Sequence, residues 1–89
     1  DFSGANLQGA TFDGAYANGA IFIDAQLDNV SFRGAELELA NFSNASMKNV
    51  TFDGAYLVHA KLSSKQVLES KFCENLVADA MKFVDLCKN

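Results

Sequence analysis

Every fifth residue from Phe2 to Leu62 is apolar: Phe2, Leu7, Phe12, Ala17, Phe22, Leu27, Phe32, Leu37, Phe42, Met47, Phe52, Leu57 and Leu62. Two places before nearly every one stands a small apolar residue: Ala at 5, 10, 15, 20, 25, 35, 40, 45, 55 and 60, and Val at 30 and 50. A period of five suits neither the 3.6 of a helix nor the 2 of a strand. It requires units that bury their apolar residues only by stacking on one another.

A longer period lies over the first. Phe takes the central position at 2, 12, 22, 32, 42 and 52, alternating with Leu, Met or Ala. Thr-Phe-Asp-Gly-Ala-Tyr occurs at 11–16 and again at 51–56, and Val replaces Ala at Val30 and Val50. A turn of twenty residues with four five-residue sides accounts for all three spacings. It predicts two Phe columns on opposite sides and Leu-type columns on the other two, so that large and smaller side chains interdigitate. Two places after the centres come Gly4, Gly9, Gly14, Gly19, Gly34 and Gly54, with Asp24, Asn29, Asn44 and Asn49 between. These residue types tolerate tight turns and positive φ, so each unit is expected to be a short extended piece followed by a corner.

The tandem pattern Ala-(Asn/Asp/Thr)-(Leu/Phe)-X-X, unbroken in phase over residues 1–62, resembles the pentapeptide-repeat family. The resemblance implies an all-β solenoid: a right-handed quadrilateral pentapeptide-repeat β-helix with Phe or Leu stacked along the axis and Ala at the inner corners. After Leu62 two readings compete. Ser63 with Gln66 matches a helix capping box. Alternatively the coil continues, because Val67, Phe72 and Val77 still fall on central positions while Ser64, Glu69, Glu74 and Asp79 keep the corners polar. The expected organisation is a β-helix over 1–79, regular to 62 and degenerate after, with a short C-terminal helical cap over 80–89 started by Asp79 as N-cap. A solenoid end needs such a cover for its strand edges. Nothing comparable precedes Asp1, and the chain opens directly on a repeat, as expected of a trimmed precursor or a fragment.

Composition removes several functions. The formal charge is −4, which disfavours nucleic acid as a partner. No apolar run approaches the ~20 residues of a membrane-spanning helix, so contact with a membrane complex would be peripheral. No cofactor or metal signature is present; a zinc site would want four ligands, and the only His is distant from both cysteines. That residue, His59, falls on an outward corner without an acid, base or nucleophile pattern beside it, so no enzymatic activity is expected.

Cys73 and Cys87 are the candidate disulfide. One continuous helix would hold them ~21 Å apart, beyond bonding reach, whereas a coil followed by a folded-back helix would allow the bond; two semi-buried thiols are the other outcome. Asp13, Arg33 and Asp53 share one outward column and should form a surface ladder with ~4.8 Å between coils. Tyr16 and Tyr56 flank Glu36 in another and, with Phe2 and Leu7 at the uncovered first coil, form the candidate partner surface.

The expected function is a non-enzymatic structural or protein-interaction module whose partner is another protein. The ending Asp85-Leu86-Cys87-Lys88-Asn89 resembles the tails of pentapeptide proteins of the chloroplast thylakoid lumen. That resemblance implies an accessory lumenal subunit of a photosynthetic membrane complex; a cytoplasmic location is the other option. The family also includes acidic rods that bind DNA gyrase, so a DNA mimic binding a type II topoisomerase is the alternative.

Overall fold

The computed structural model describes residues 1–70 of the 89, and these form a coil whose turns repeat every twenty residues, closed at one end by a single short helix. The unit Ser31–Ala35 shows how. The Phe32 carbonyl accepts from the Ala35 N–H at 3.1 Å, closing a four-residue turn, and Gly34, third in that turn, has φ of 65°. The i to i+3 bond and the single positive φ at the third position are the marks of a type II turn. This corner recurs at every fifth residue from Gly4 to His59: six are Gly, and the others are Asp24, Asn29, Leu39, Asn44, Asn49 and His59, with φ between 59° and 66°.

Each corner redirects the chain so that a side lies over the equivalent side twenty residues away. Eight parallel bridges register the turns, from Asn6 with Gln26 to Asn41 with Lys61. Pairing is through single bridges rather than through multi-residue strands. The backbone is nonetheless almost fully used. Ser31 donates back to the Ala10 carbonyl at 3.1 Å, Phe32 and Gly34 donate forward to Thr51 and Asp53 at 2.8 Å, and Ala35 donates within its own corner. The fifth N–H of the unit, that of Arg33, is met by the Asp13 carboxylate of the preceding turn at 2.9 Å. Buried or half-buried peptide groups without such partners would each cost free energy comparable to a lost hydrogen bond.

The interior is built as the twenty-residue period predicts. Phe2, Phe22 and Phe42 stack with centroids 5.2 and 5.1 Å apart, and Phe12, Phe32 and Phe52 stack at 5.3 and 5.5 Å. Rings of the two columns meet edge to face across the axis, for example Phe22 with Phe32 at 5.6 Å and 78°. Both geometries are the favourable ones for aromatic quadrupoles. Leu27, Met47, Leu37 and Leu57 fill the remaining two sides, with Ala25, Ala35, Ala40 and Ala55 buried at the corners.

The structure departs from the expected continuation of the coil after Leu62. Lys61 still bridges Asn41, but Ser63 then caps helix α1, Ser64–Glu69. The capping box is complete: the Ser63 hydroxyl accepts from the Gln66 N–H at 3.1 Å, and the Gln66 side-chain oxygen accepts from the Ser63 N–H at 2.8 Å. The same Gln66 side chain donates to the carbonyls of Phe42 at 2.6 Å and Ala45 at 3.1 Å; a further side of coil would have met the Ala45 carbonyl, as Ser46 meets Ala25, whereas the Phe42 carbonyl also accepts from Ala45 N–H in its own corner. At the far end of α1 the Glu69 carbonyl accepts from Asn49 at 3.1 Å. The helix thus substitutes for the next side of the coil. Val67 is buried against the core, which is why it fits the five-residue lattice without belonging to a coil. The expected boundary at 79/80, the cap over 80–89, Phe72 in the Phe column, and Cys73 and Cys87 lie outside the described residues.

Phe32 is enclosed by Phe12 and Phe52 and by the edges of Phe22 and Phe42. Phe32→Ala should therefore cost ~3–5 kcal/mol in denaturant melts, and Ala35→Leu, which overfills a closed corner, ~1–3 kcal/mol. A neutral melt for either variant would refute the column packing. Gln66→Leu keeps the volume but strands the Ala45 carbonyl and the Ser63 N–H and removes one of the two donors to the Phe42 carbonyl. It should cost at least about 2 kcal/mol, and the far-ultraviolet circular dichroism of the variant should show whether α1 is lost.

Candidate functional site

The sequence-predicted surface residues fall in two places. Phe2 and Leu7 belong to the first turn, where Phe2 is 36% exposed and Leu7 half-buried, while their counterparts Phe22, Leu27, Phe42 and Met47 in later turns are closed off. Tyr16 and Tyr56 lie on the side formed by residues 16–20, 36–40 and 56–60. Tyr16 bridges Glu36, and Glu36 bridges Tyr56, so the three stand in one outward column. Tyr16 is 86% and Tyr56 48% exposed. The two groups are separate: the first is the end of the coil, the second one of its flat sides.

That flat side holds more than the two tyrosines. Leu39 occupies its middle corner at φ 63° and is 65% exposed, and Val58 is half-buried between the Tyr56 column and the corner. Sequence reasoning passed over Leu39 because it sought polar or Gly corners. The signal was available: a corner position in an unbroken lattice that carries a large apolar residue. His59 is likewise a corner, exposed and with φ 59°.

The expected Asp13–Arg33–Asp53 ladder is built differently. Arg33 approaches Asp53 at 3.8 Å as an exposed ion pair, which contributes little. Asp13 instead brackets two turns, its Oδ1 accepting from the Ser31 hydroxyl at 2.5 Å and the Arg33 N–H at 2.9 Å. Asp28 repeats the arrangement with the Ser46 hydroxyl at 2.6 Å and the Lys48 N–H at 3.0 Å, and Asn18 accepts from the Glu38 N–H at 2.9 Å. The Ser31 hydroxyl, above the weaker bond from Arg33 N–H, holds the Asp13 carboxyl below its ordinary value despite some desolvation. The Ser46 hydroxyl and then the Lys48 N–H do the same for Asp28. These carboxylates are structural fasteners rather than free surface charge.

Among the described residues no cluster of His, Cys, Asp and Glu is placed to hold a metal ion, and no helix is long and apolar enough to cross a membrane. A concavity of about 740 Å³ opens beside α1, lined by Lys48, Lys61, Lys65, Gln66 and Glu69 among others. Its two hydrogen-bonding glutamine functions are consumed by the coil end. Among the described residues no nucleophile with an adjacent base lines it.

A stacked five-residue lattice with outward polar columns and a filled interior defines a repeat protein. The chain belongs to the pentapeptide-repeat family: the family model described as a pentapeptide repeat region matches residues 1–72. Members of that family are generally structural or protein-interaction modules. No curated protein and no solved structure matches the chain.

The lowered carboxyls of Asp13 and Asp28 fix a pH dependence. A carboxyl with a lower folded than unfolded pKa stabilises the fold fully above the unfolded value, about 4, and loses that contribution as pH falls through the folded value. The melting temperature should therefore decline as pH falls below about 4. In the double variant Asp13→Asn with Asp28→Asn this part of the slope should flatten. An unchanged slope in the variant would show that the brackets carry no linkage.

Proposed function

We propose that this domain is a non-enzymatic docking module that works through the Tyr16–Glu36–Tyr56 side, with Phe2 and Leu7 as further contact residues. The observation that supports it is one outward column in which Tyr16 is 86% and Tyr56 48% exposed on either side of Glu36. Phe2, 36% exposed, and the half-buried Leu7 add apolar surface in the first described turn. Exposed apolar surface rimmed by polar residues favours docking. A partner protein, or a second copy, is the occupant in this reading.

The proposal extends to the architecture and setting. The coil is taken to be a right-handed quadrilateral β-helix, the hand that parallel crossover connections adopt almost without exception. The location is taken to be the thylakoid lumen, as an accessory subunit peripheral to a photosynthetic membrane complex, on the resemblance of the 85–89 tail. The topoisomerase-binding alternative gains nothing from the arrangement of charge, because Asp13 and Asp28 are bound into the coil instead of forming a phosphate-like row.

Phe2→Asp and Leu7→Asp should abolish capture of the partner in a pull-down from source membranes read by mass spectrometry, while Asp53→Asn, remote from both, should leave it intact. Loss of capture in all three, or in none, would refute the assignment of Phe2 and Leu7 to the docking surface. An inhibition assay on gyrase supercoiling gives the alternative its own test, and activity there would overturn the lumenal reading.

A further inference from the structure

The flat side that carries the tyrosines differs from the other three in both charge and strain. Each of the other sides has a cation: Lys61 on the side of Phe22 and Phe42, Lys48 on that of Leu27 and Met47, and Arg33 on that of Phe12 and Phe32. The side of Leu37 and Leu57 has Glu36 and Glu38 and neither Lys nor Arg. Elsewhere Asp13 and Asp28 spend their carboxylates on the neighbouring turn. Here Asn18 takes the bracketing role toward the Glu38 N–H. The Glu38 carboxylate is thereby left without a partner among the described residues, and that of Glu36 has only a long contact to the Asn18 amide at 3.4 Å. Around these two carboxylates lie Tyr16, Tyr56, Val58 and Leu39. Of the other outward aliphatics, Ile21 and Ile23 are half-buried and Leu68, 62% exposed, stands apart on α1.

Leu39 is the second observation. A Leu in the left-handed region is disfavoured by roughly 1–2 kcal/mol, and at 65% exposure it recovers little of that by burial. Gly or Asn fills most of the equivalent corners without either cost. A residue that is unfavourable for the turn and for the solvent at once fits a position that is covered in use.

Building on the docking role proposed above, we infer that the side formed by residues 16–20, 36–40 and 56–60 binds a protein segment that presents basic side chains interleaved with apolar ones. Its cations meet Glu36 and Glu38, and its apolar residues cover Leu39, Val58 and the tyrosine rings. Charge complementarity selects this partner over a second copy, whose equivalent side would set like carboxylates against each other.

The test uses the full 89-residue chain, isotopically labelled, and three short synthetic peptides. One alternates Lys with Leu and Tyr, the second replaces each Lys by Glu, and the third contains Lys only. The first should shift the amide resonances of Tyr16, Glu36, Glu38, Leu39, Tyr56 and Val58 at the lowest concentration. The variant Glu36→Lys with Glu38→Lys should weaken it about tenfold or more. Leu39→Asn should raise the melting temperature yet weaken the peptide, a pairing that a merely structural residue would not give. Equal binding of the Glu peptide or of the Lys-only peptide overturns the inference, as do shifts centred on another side. Resonance changes on this side that depend on protein concentration without peptide would assign it to self-association and overturn it as well. Shifts centred on Phe2 and Leu7 would leave the docking module standing and refute this assignment alone.

Discussion

The left-handed corner is the constraint on which the rest depends. One residue in five takes positive φ, the carbonyl two places before it accepts from the residue after it, and the chain direction changes. The turn uses one donor locally and leaves the N–H groups at the centre and at the corner itself aimed at the next turn. Because this happens at a fixed interval, every side returns over its equivalent twenty residues later. Stacking, and with it burial of the Phe and Leu columns, follows from that return. Gly is frequent at the corner since only it enters this region freely, and Asn and Asp come next.

Once the turns are in register, one N–H per unit, that of the residue after the centre, is left out of the backbone pattern. In many units a side chain supplies its acceptor. In the first turn the residue before the centre does so locally, as Asp1 does for Ser3. In later turns Asp13, Asn18 and Asp28 reach across to Arg33, Glu38 and Lys48, while Asn41 serves Ser43 locally. The outward columns are therefore not merely solvated decoration. Their short polar residues join one turn to the next, and a hydroxyl two places earlier, Ser31 or Ser46, completes the bracket.

The lattice was legible because central Phe and corner Gly carry their roles in their own chemistry: the twenty-residue overtone places Phe32 between Phe12 and Phe52, where it is found. Corners occupied by Leu39 and His59 were less legible, since neither residue type advertises positive φ. The end of the coil was ambiguous for a definite reason. Val67 satisfies both an inward lattice position and the buried side of a one-and-a-half-turn helix, so periodicity alone cannot separate the two. The capping box of Ser63 and Gln66 does separate them, because reciprocal side-chain bonds to the backbone have meaning only at a helix start. Asp13 and Arg33 were read as an ion pair from their shared column; in the folded chain the nearer donors are a hydroxyl and a peptide N–H, and the guanidinium points on to Asp53.

A coil of this kind has little freedom to form a pocket, because inward positions are filled and every turn repeats the last. What varies is the outward sequence, and variation there is tolerated only where the brackets and corners survive it. The sides that contain Asp13 and Asp28 use outward polarity to hold the turns together, while Asn41 and Ser43 pair within a single turn. On the side of Leu37 and Leu57 Asn18 alone performs that work, while Tyr16, Leu39, Tyr56 and Val58 add no bracket and the Glu38 carboxylate has no partner among the described residues. Leu39 even works against its own corner. Residues that the fold does not need, gathered on one flat side of a rigid frame, are where selection for contact has room to act. The frame supplies position and rigidity; in the proposed reading that side supplies recognition.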